Sequence, residues 1–504
     1  MSRTNQLAKS LTVAYAYQFV VLTVGLLLVP LLLSRLGSAT YGRWLVVGQV
    51  LGVLSLLDLG VTALLSREVA AASGGPEPDR ALPQLLRRVT WLVWYQTPVV
   101  VLASAGAWVY VTAGRPELRL PLGLILAAFV CFFPARIFAA VLNGMQDFVY
   151  STGTQAAAWA VTTVVSVGLV LGGVGLTALA VGWVAGQTVA AVAAYRRVRT
   201  RFAATRAWSG RPGWPALRSL IAPSLWGSVY QLAAVLTLGS DLILVAWAMG
   251  TEAVVGYSCT AKLATIAALP LAAVVTSSLP ALSQLRATGD QARYWRAARG
   301  TGQLLLLVSG AAAVAITAAN AGFVRQWVGA AQFGGPTVSV LCVLVMVARH
   351  YTLTLTGPAY TLGRERRLAG MALVEGVVSV AATCAWATWF GLAGVPLGPL
   401  TALALVSVPV ALTAIADGAG VSRWQVVGWS GSWFVRFAAV FVPVVAATYL
   451  LPVGEPWVAA ALTTGGLASY AAVTLPLLSR EPLDVYKATI LGAVRRRLRL
   501  SPRA

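Results

Sequence analysis

The chain has 504 residues, of which 58% are hydrophobic and only 10% charged, with a formal net charge of +22. Average soluble domains are about 25% charged, so this chain could not cover a water-facing surface, and a polytopic membrane protein is the class that remains. The 37 Lys and Arg outweigh the 15 Asp and Glu, but they sit mostly in short loops between apolar runs; that marks membrane topology, not nucleic-acid binding, and no RNP, zinc-finger or helix-turn-helix pattern accompanies them.

Arg3 and Lys9 precede an apolar run from Leu11. The run is too long for a cleaved signal and no Ala-x-Ala site follows cleanly, so it reads as an uncleaved first transmembrane helix. A spanning helix needs about 20 apolar residues. Fourteen runs meet that need, near 11–33, 42–65, 89–112, 119–141, 149–171, 175–195, 219–249, 253–279, 301–324, 334–361, 368–390, 394–416, 433–451 and 456–478. No loop is long enough to fold as a separate domain. The expected organisation is a six-helix N-lobe over 1–195, a basic linker over 196–218, a six-helix C-lobe over 219–416, and helices 13–14 with a basic tail over 417–504. Cys131, Cys259, Cys342 and Cys384 all lie inside apolar runs without metal-type spacing and read as small core residues.

With the N-terminus placed inside, 28 of the 37 basic residues fall on inside segments and 5 on outside loops. The positive-inside rule therefore puts both termini in the cytoplasm. The inside segments include the break from Arg196 to Arg218 and the tail with Arg480, Lys487, Arg495, Arg496, Arg497, Arg499 and Arg503. The break reads as a solvated linker facing anionic lipid.

Part of the chain repeats. The turn Arg35-Leu-Gly37 followed by Tyr41-Gly42 matches Ala248-Met-Gly250 followed by Gly256-Tyr257. Asn143-Gly144-Met-Gln-Asp147 after helix four matches Leu362-Gly363-Arg-Glu-Arg366 after helix ten. Two matches at nearly one offset, on helices of equal rank, point to a parallel repeat of six helices about the membrane normal.

Ser34–Glu68, the segment from Asp241 through Gly250, Gly256-Tyr257 and Lys262-Leu263, and Leu279-Pro-Ala-Leu-Ser283 resemble the polysaccharide (O-antigen type) flippases of the multidrug/oligosaccharidyl-lipid/polysaccharide exporter superfamily. The resemblance implies two six-helix lobes around a central cavity, plus two C-terminal helices. It further implies alternating access that moves an undecaprenyl-pyrophosphate-linked saccharide from the inner to the outer leaflet of a bacterial cell membrane, for lipopolysaccharide or exopolysaccharide biosynthesis. Such a transporter is not an enzyme and needs no cofactor; its implied partners are the polyprenyl-linked saccharide, the bilayer, and a polysaccharide polymerase or glycosyltransferase. Few cationic residues lie deep in helices one and two, unlike the peptidoglycan-precursor branch.

A charge at bilayer depth costs at least a few kcal/mol and needs a reason. Asp241 lies about ten residues before the turn near Thr251 and Lys262 about eleven after it, so both sit roughly 15 Å deep and are expected to share a layer and pair. Lys262 is one of three lysines beside 34 arginines; the alternatives for it are a self-neutralising ion pair or a cavity cation for substrate phosphate, gated by Asp241. Arg349 and Glu375 flank the turn at Gly363 at like distances and are expected at one depth. His350, the only histidine, reads either as a packing residue or as a proton-coupling group, because imidazole titrates near neutrality. Arg136 and Asp58 share a depth in the first lobe; either they pair, or Arg136 meets an anionic head group, or it snorkels. Arg35, Arg43 and Arg436 read as interfacial anchors near helix ends. The substrate-binding candidates are thus Lys262, Arg136 and Arg349, and the coupling or gating candidates Asp241, Asp58, Glu375 and His350. No metal site is expected.

Gly48-x-x-x-Gly52, Gly182-x-x-x-Gly186 and Gly394-x-x-x-Gly398 read as close helix contacts. A drug or cation antiporter of the same superfamily is the competing reading and would favour acidic cavity residues. A membrane-embedded glycosyltransferase would need an acidic motif on an outer loop, and the outer loops hold only Glu117, Glu252 and Glu455, singly. No Walker A run is present, so ATP hydrolysis is not expected.

Overall fold

The computed structural model describes residues 3–74, 78–202, 211–479 and 481–483. Residues 203–210 of the basic linker, with Arg206, and the basic tail with Arg480 and residues 484–504 lie outside the described residues. In hydrocarbon a backbone must satisfy its own N–H and C=O groups, which makes long apolar runs helical. The described residues are accordingly helices and short turns, with no strand among them.

The chain forms two compact units, Met1–Val235 and Leu236–Ala504. The first holds α1 (Arg3–Leu36), α2 (Ser38–Leu54), α3 (Val61–Ser73), α4 (Pro78–Thr112), α5 (Arg119–Phe132), α6 (Arg136–Gly144), α7 (Phe148–Leu171), α8 (Leu176–Arg201) and most of α9 (Trp214–Leu238). The second holds α10 (Asp241–Met249), α11 (Thr251–Thr276), α12 (Leu279–Ala287), α13 (Gln291–Val328), α14 (Pro336–Thr361), α15 (Glu365–Phe390), α16 (Gly394–Ala402), α17 (Val408–Ala419), α18 (Arg423–Leu450) and α19 (Pro456–Thr474).

Among the described residues, 11 helices are long and apolar enough to cross a membrane, or up to 13 if each of two bent pairs is one span. The stretch Glu365–Ala419, counted there once, would be about 80 Å long as a single rod. It is instead a hairpin whose arms, α15 and α16–α17, pack side by side. The architecture is therefore all-α and polytopic, and consistent with fourteen crossings. Large apolar side chains such as Leu102, Trp389 and Leu450 stand exposed, as lipid contact requires.

The repeat is visible in backbone detail. Gly37 (φ 76, ψ 161) and Gly250 (φ 89, ψ 168) each join a hairpin and head the next helix. That region of φ/ψ is open essentially to glycine alone. Glycines also set the tight helix pairs. A Cβ at Gly182 would overlap Ser166 Oγ and one at Gly186 would overlap Thr162 Oγ1, which welds α7 to α8; a Cβ at Gly398 would overlap Thr383 Oγ1, which does the same for α15 and α16. The expected close contact at Gly48 and Gly52 is absent, since no atom lies within 4 Å of a Cβ at either position.

Several spans are broken. After α2 a 3₁₀ turn ends at Asp58, then Leu59 (φ 48) and Gly60 (φ 69) turn left-handed before α3. Pro134 lies between α5 and α6, which bend by 52°, and Gly239-Ser240 between α9 and α10, which bend by 43°. Residues 403–407 form a π turn between α16 and α17. The centre of the second unit is α13 and α14, each more than half buried over its apolar window.

The last two helices dock onto α13 through polar contacts. Trp433 Nε1 donates to Tyr470 Oη (2.9 Å), Tyr470 Oη donates to the Leu307 carbonyl (2.9 Å), and Gln303 Nε2 donates to the Trp429 carbonyl (3.0 Å). Arg436, expected near a helix end, lies in the middle of α18 and donates to the Val473 carbonyl at 2.5 Å. The Val473 carbonyl lies in the last turn of α19, so this bond ties the middle of α18 to the end of α19.

Candidate functional site

The break between α9 and α10 organises the polar centre of the second unit. A helix that stops leaves its last carbonyls without partners, and its end carries partial negative charge. Arg349, on α14, answers this: its Nη2 donates to the Thr237 carbonyl at 3.1 Å. On the other side of the break Asp241 is the first residue of α10, where the positive helix end favours a carboxylate. Basic and acidic side chains thus meet the two helix ends with opposite sign.

Arg349 Nη1 also pairs with Glu375 Oε1 at 3.0 Å, from α14 to α15. The Glu375 side chain is 7% exposed and the Arg349 side chain 28%. The second carboxylate oxygen accepts from Ser407 Oγ at 2.5 Å. Ser407 is fully buried and ends the π turn; π turns inside helices often mark functional positions. Both oxygens of the buried carboxylate are therefore held, as a buried charge demands.

Asp241 and Arg349 line one cavity of about 200 Å³. Tyr257 Oη donates to Asp241 Oδ2 (3.3 Å). Thr237, Cys342, Pro396 and Pro399 complete much of the wall. Arg349 with its neighbours Asp241 and Glu375 carries two carboxylates against one guanidinium.

The structure brings Arg349 and Glu375 together, as their distances from Gly363 predict. It does not pair Asp241 with Lys262. Tyr257, Ala261, Ala264, Thr265 and Ala268 face the cavity; Lys262 follows Ala261 by one residue, about 100° round the helix, and does not line it. Hairpin arithmetic gives depth but not azimuth. Lys262 forms no ion pair within 4.0 Å among the described residues. His350 neighbours Arg349 in sequence but turns to another face. Its Nε2 donates to the Ala268 carbonyl (3.1 Å) and its Nδ1 meets Ser309 Oγ (2.8 Å), tying α14 to α11 and α13.

In the first unit, Asp58 is buried and caps α3: Thr62 N–H donates to Oδ2 (3.1 Å) and Thr62 Oγ1 to Oδ1 (2.6 Å). Gln96 Nε2 donates to the Asp58 carbonyl at 3.4 Å. Arg136 heads α6 just after the bend. The expected option of a direct Asp58–Arg136 ion pair is not realised; the carboxylate is taken up by Thr62, and the guanidinium lies over Phe129 (4.8 Å) and Phe133 (5.2 Å).

Ser407, Tyr257 and the Thr237 carbonyl were not foreseeable as partners from residue type. Gly239-Ser240-Asp241 was a readable signal, since a breaker followed by capping residues starts a helix.

The family model for polysaccharide biosynthesis proteins matches residues 7–286. Among solved structures, the fold is similar to the lipid II flippase MurJ in an inward closed conformation, with a TM-score of 0.64 and 11% identity, covering 93% of this chain and 99% of that one. It is also similar to a multidrug resistance MATE family transporter of the MOP superfamily. An inward-facing conformation of such a transporter gives a TM-score of 0.59 at 11% identity, covering 79% of this chain and 94% of that one. An outward-facing conformation of such a transporter gives 0.58 at 13% identity, covering 84% of this chain and 96% of that one. Among curated proteins, no sequence matches the chain.

Proposed function

Because the chain belongs to the polysaccharide biosynthesis protein family, we propose that it is a flippase that carries an undecaprenyl-pyrophosphate-linked oligosaccharide from the inner to the outer leaflet by alternating access. A pyrophosphate cannot cross hydrocarbon while it keeps its charge and loses its water. Cationic side chains at depth replace that water, and the polyprenyl tail stays in lipid. Lys262 and Arg136, two deep cations without a carboxylate within 4.0 Å among the described residues, are the phosphate contacts in this reading. Arg349, Asp241 and Glu375 form the coupling element, with Asp58 as the hinge cap of α3.

The observation that carries the coupling role is the grip of Arg349 on three helices. It holds the broken end of α9 and the carboxylate of α15 from its seat on α14. A movement of the α9 end against α15 that exceeds the reach of the guanidinium would break one of those bonds, which is how the network would sense the transport cycle. Depletion of the protein in its host, followed by leaflet-specific labelling of lipid-linked saccharide, tests the proposal. Accumulation on the inner leaflet, reversed by the wild-type gene, is the expected result; an unchanged leaflet distribution sinks it.

A cation-coupled drug antiporter is the second reading, favoured by Asp241 in the cavity wall and by the pairing of the cavity's Arg349 with the buried Glu375. It predicts lowered drug resistance on deletion, with lipid-linked saccharide unaffected.

A further inference from the structure

The first unit carries a second polar cleft, at the end of the α7–α8 pair where α7 begins and α8 stops. Asp147 closes the turn after α6, and Gln146 before it is left-handed (φ 59). Arg197 and Arg201 lie one turn apart at the C-terminal end of α8, where the helix dipole favours cations. Arg197 Nε donates to Asp147 Oδ2 at 2.9 Å, and its guanidinium lies 4.4 Å from the centre of the Tyr150 ring. Tyr150 Oη is itself anchored on the Ala193 carbonyl (3.2 Å). Arg197 is thus fixed in position.

Arg201 is different. Its Nη1 comes only to 3.8 Å from the same carboxylate oxygen, beyond hydrogen-bond length, and its side chain is 56% exposed. One carboxylate faces two guanidinium groups, which leaves one positive charge at the mouth of the cleft. From that mouth a trough runs along Val149, Gly153 and Ala157 on one side and Val189 and Ala193 on the other, in a cleft of about 670 Å³. No atom stands within 4 Å of where a Cβ of Gly153 would be.

We propose that this cleft binds one anionic phospholipid, its phosphodiester on Arg201 and Arg197 and one acyl chain along the trough at Gly153. A soluble phosphate would leave the apolar trough uncovered, and a zwitterionic lipid would bring its own cation to a mouth already positive. The cleft opens at the helix ends that the charge distribution assigns to the cytoplasmic leaflet, where anionic head groups attract basic residues. The site is independent of the substrate and coupling residues above.

The test is native mass spectrometry of the full-length protein in detergent, titrated with phosphatidylglycerol, with phosphatidylcholine of the same chains, and with inorganic phosphate. Phosphatidylglycerol is expected to bind one site at least about fivefold tighter than phosphatidylcholine, the weight of one basic residue near a membrane surface. Arg201→Gln should remove about that factor. Gly153→Leu should block the trough and weaken phosphatidylglycerol by a similar or larger factor; its Cβ meets no atom within 4 Å and the change improves helix propensity, so the fold survives. Equal binding of the two lipids overturns the proposal. So does wild-type lipid binding in both variants. Displacement of the lipid by inorganic phosphate, with Gly153→Leu silent, shows a free-anion site and overturns the lipid as occupant.

Discussion

Arg349 and Glu375 meet in a buried ion pair, 3.0 Å from Nη1 to Oε1, and each is held a second time by an irregularity of the backbone. Arg349 reaches the carbonyl freed where α9 stops, and Glu375 receives the hydroxyl that ends the π turn. The pair therefore reads the positions of α9, α14, α15 and the π turn at once. Removing one partner leaves the other charge buried and unpaired, which typically costs 3–5 kcal/mol. We expect Arg349→Met to lower thermal stability in detergent sharply, by more than Glu375→Gln, because it leaves the buried Glu375 carboxylate without its cation, whereas the amide introduced by Glu375→Gln is neutral. The double variant Arg349→Met/Glu375→Gln should recover most of the stability yet remain inactive in complementation of a deletion strain. Full activity of the double variant would reduce the pair to a structural role.

Lys262 stands apart from that network. It forms no ion pair within 4.0 Å among the described residues and is only half-buried, so its loss disturbs little packing. Lys262→Ala is expected not to destabilise the fold, since it removes an intramembrane charge that has no ion-pair partner within 4.0 Å among the described residues, while abolishing transport, scored as inner-leaflet accumulation of lipid-linked saccharide. Lys262→Arg should keep part of the activity. Normal transport in Lys262→Ala would remove it from the phosphate path.

These two positions show how far the sequence could be read. Depth along a helix follows from counting residues out from a turn, and the counts about Gly363 placed Arg349 opposite Glu375. The same counts about Thr251 placed Asp241 opposite Lys262, and there azimuth decided otherwise: the helix break reorients Asp241 toward Tyr257 and Arg349, and Lys262 is a third of a turn off the cavity face. The hairpins, the repeat glycines and the helix-pairing glycines of α7–α8 and α15–α16 were legible because membrane spans are long, uniform signals. The π turn at Ser407 has no such signal. Its sequence, Leu403-Ala-Leu-Val-Ser407, is an apolar run like those of the regular helices around it. Arg436 was misplaced because α18 extends ten residues further toward its N-terminus than the apolar run does.

His350 is saturated. One ring nitrogen must carry a proton to bond the Ala268 carbonyl, and the other meets Ser309 Oγ. His350→Leu loses both bonds and leaves a buried carbonyl and hydroxyl without this partner, at about 1–3 kcal/mol for such a group. His350→Gln offers a donor and an acceptor of similar reach. We expect His350→Leu to unfold at clearly lower temperature, His350→Gln to lie between it and wild type, and the pH profile of transport to be unchanged in His350→Gln. A flattened profile in that variant would instead establish His350 as a proton carrier.

Glycine contacts supply a test in which the fold alone is at stake. At Gly398 a Cβ would run into Thr383 Oγ1 and lie 2.7 Å from the Thr383 backbone nitrogen and 2.8 Å from the Ser379 carbonyl. Because two of those atoms are backbone, α15 and α16 would have to separate for any side chain to fit. Overpacking of this kind typically costs 1–3 kcal/mol, more when the backbone must move, and separation would also pull at Glu375 and Ser407, which lie on the two sides of this contact. Gly398→Ala should therefore lower the melting temperature and the yield of monodisperse protein, and reduce transport through the displaced carboxylate. Gly48→Ala is the matched control. It sits in the same kind of glycine pattern, but nothing lies within 4 Å of its Cβ, and helix propensity favours alanine by about 1 kcal/mol. It should be neutral or slightly stabilising in thermal unfolding. A loss of function at Gly48→Ala with an intact melting temperature would instead mark that face of α2 as a contact made during the transport cycle.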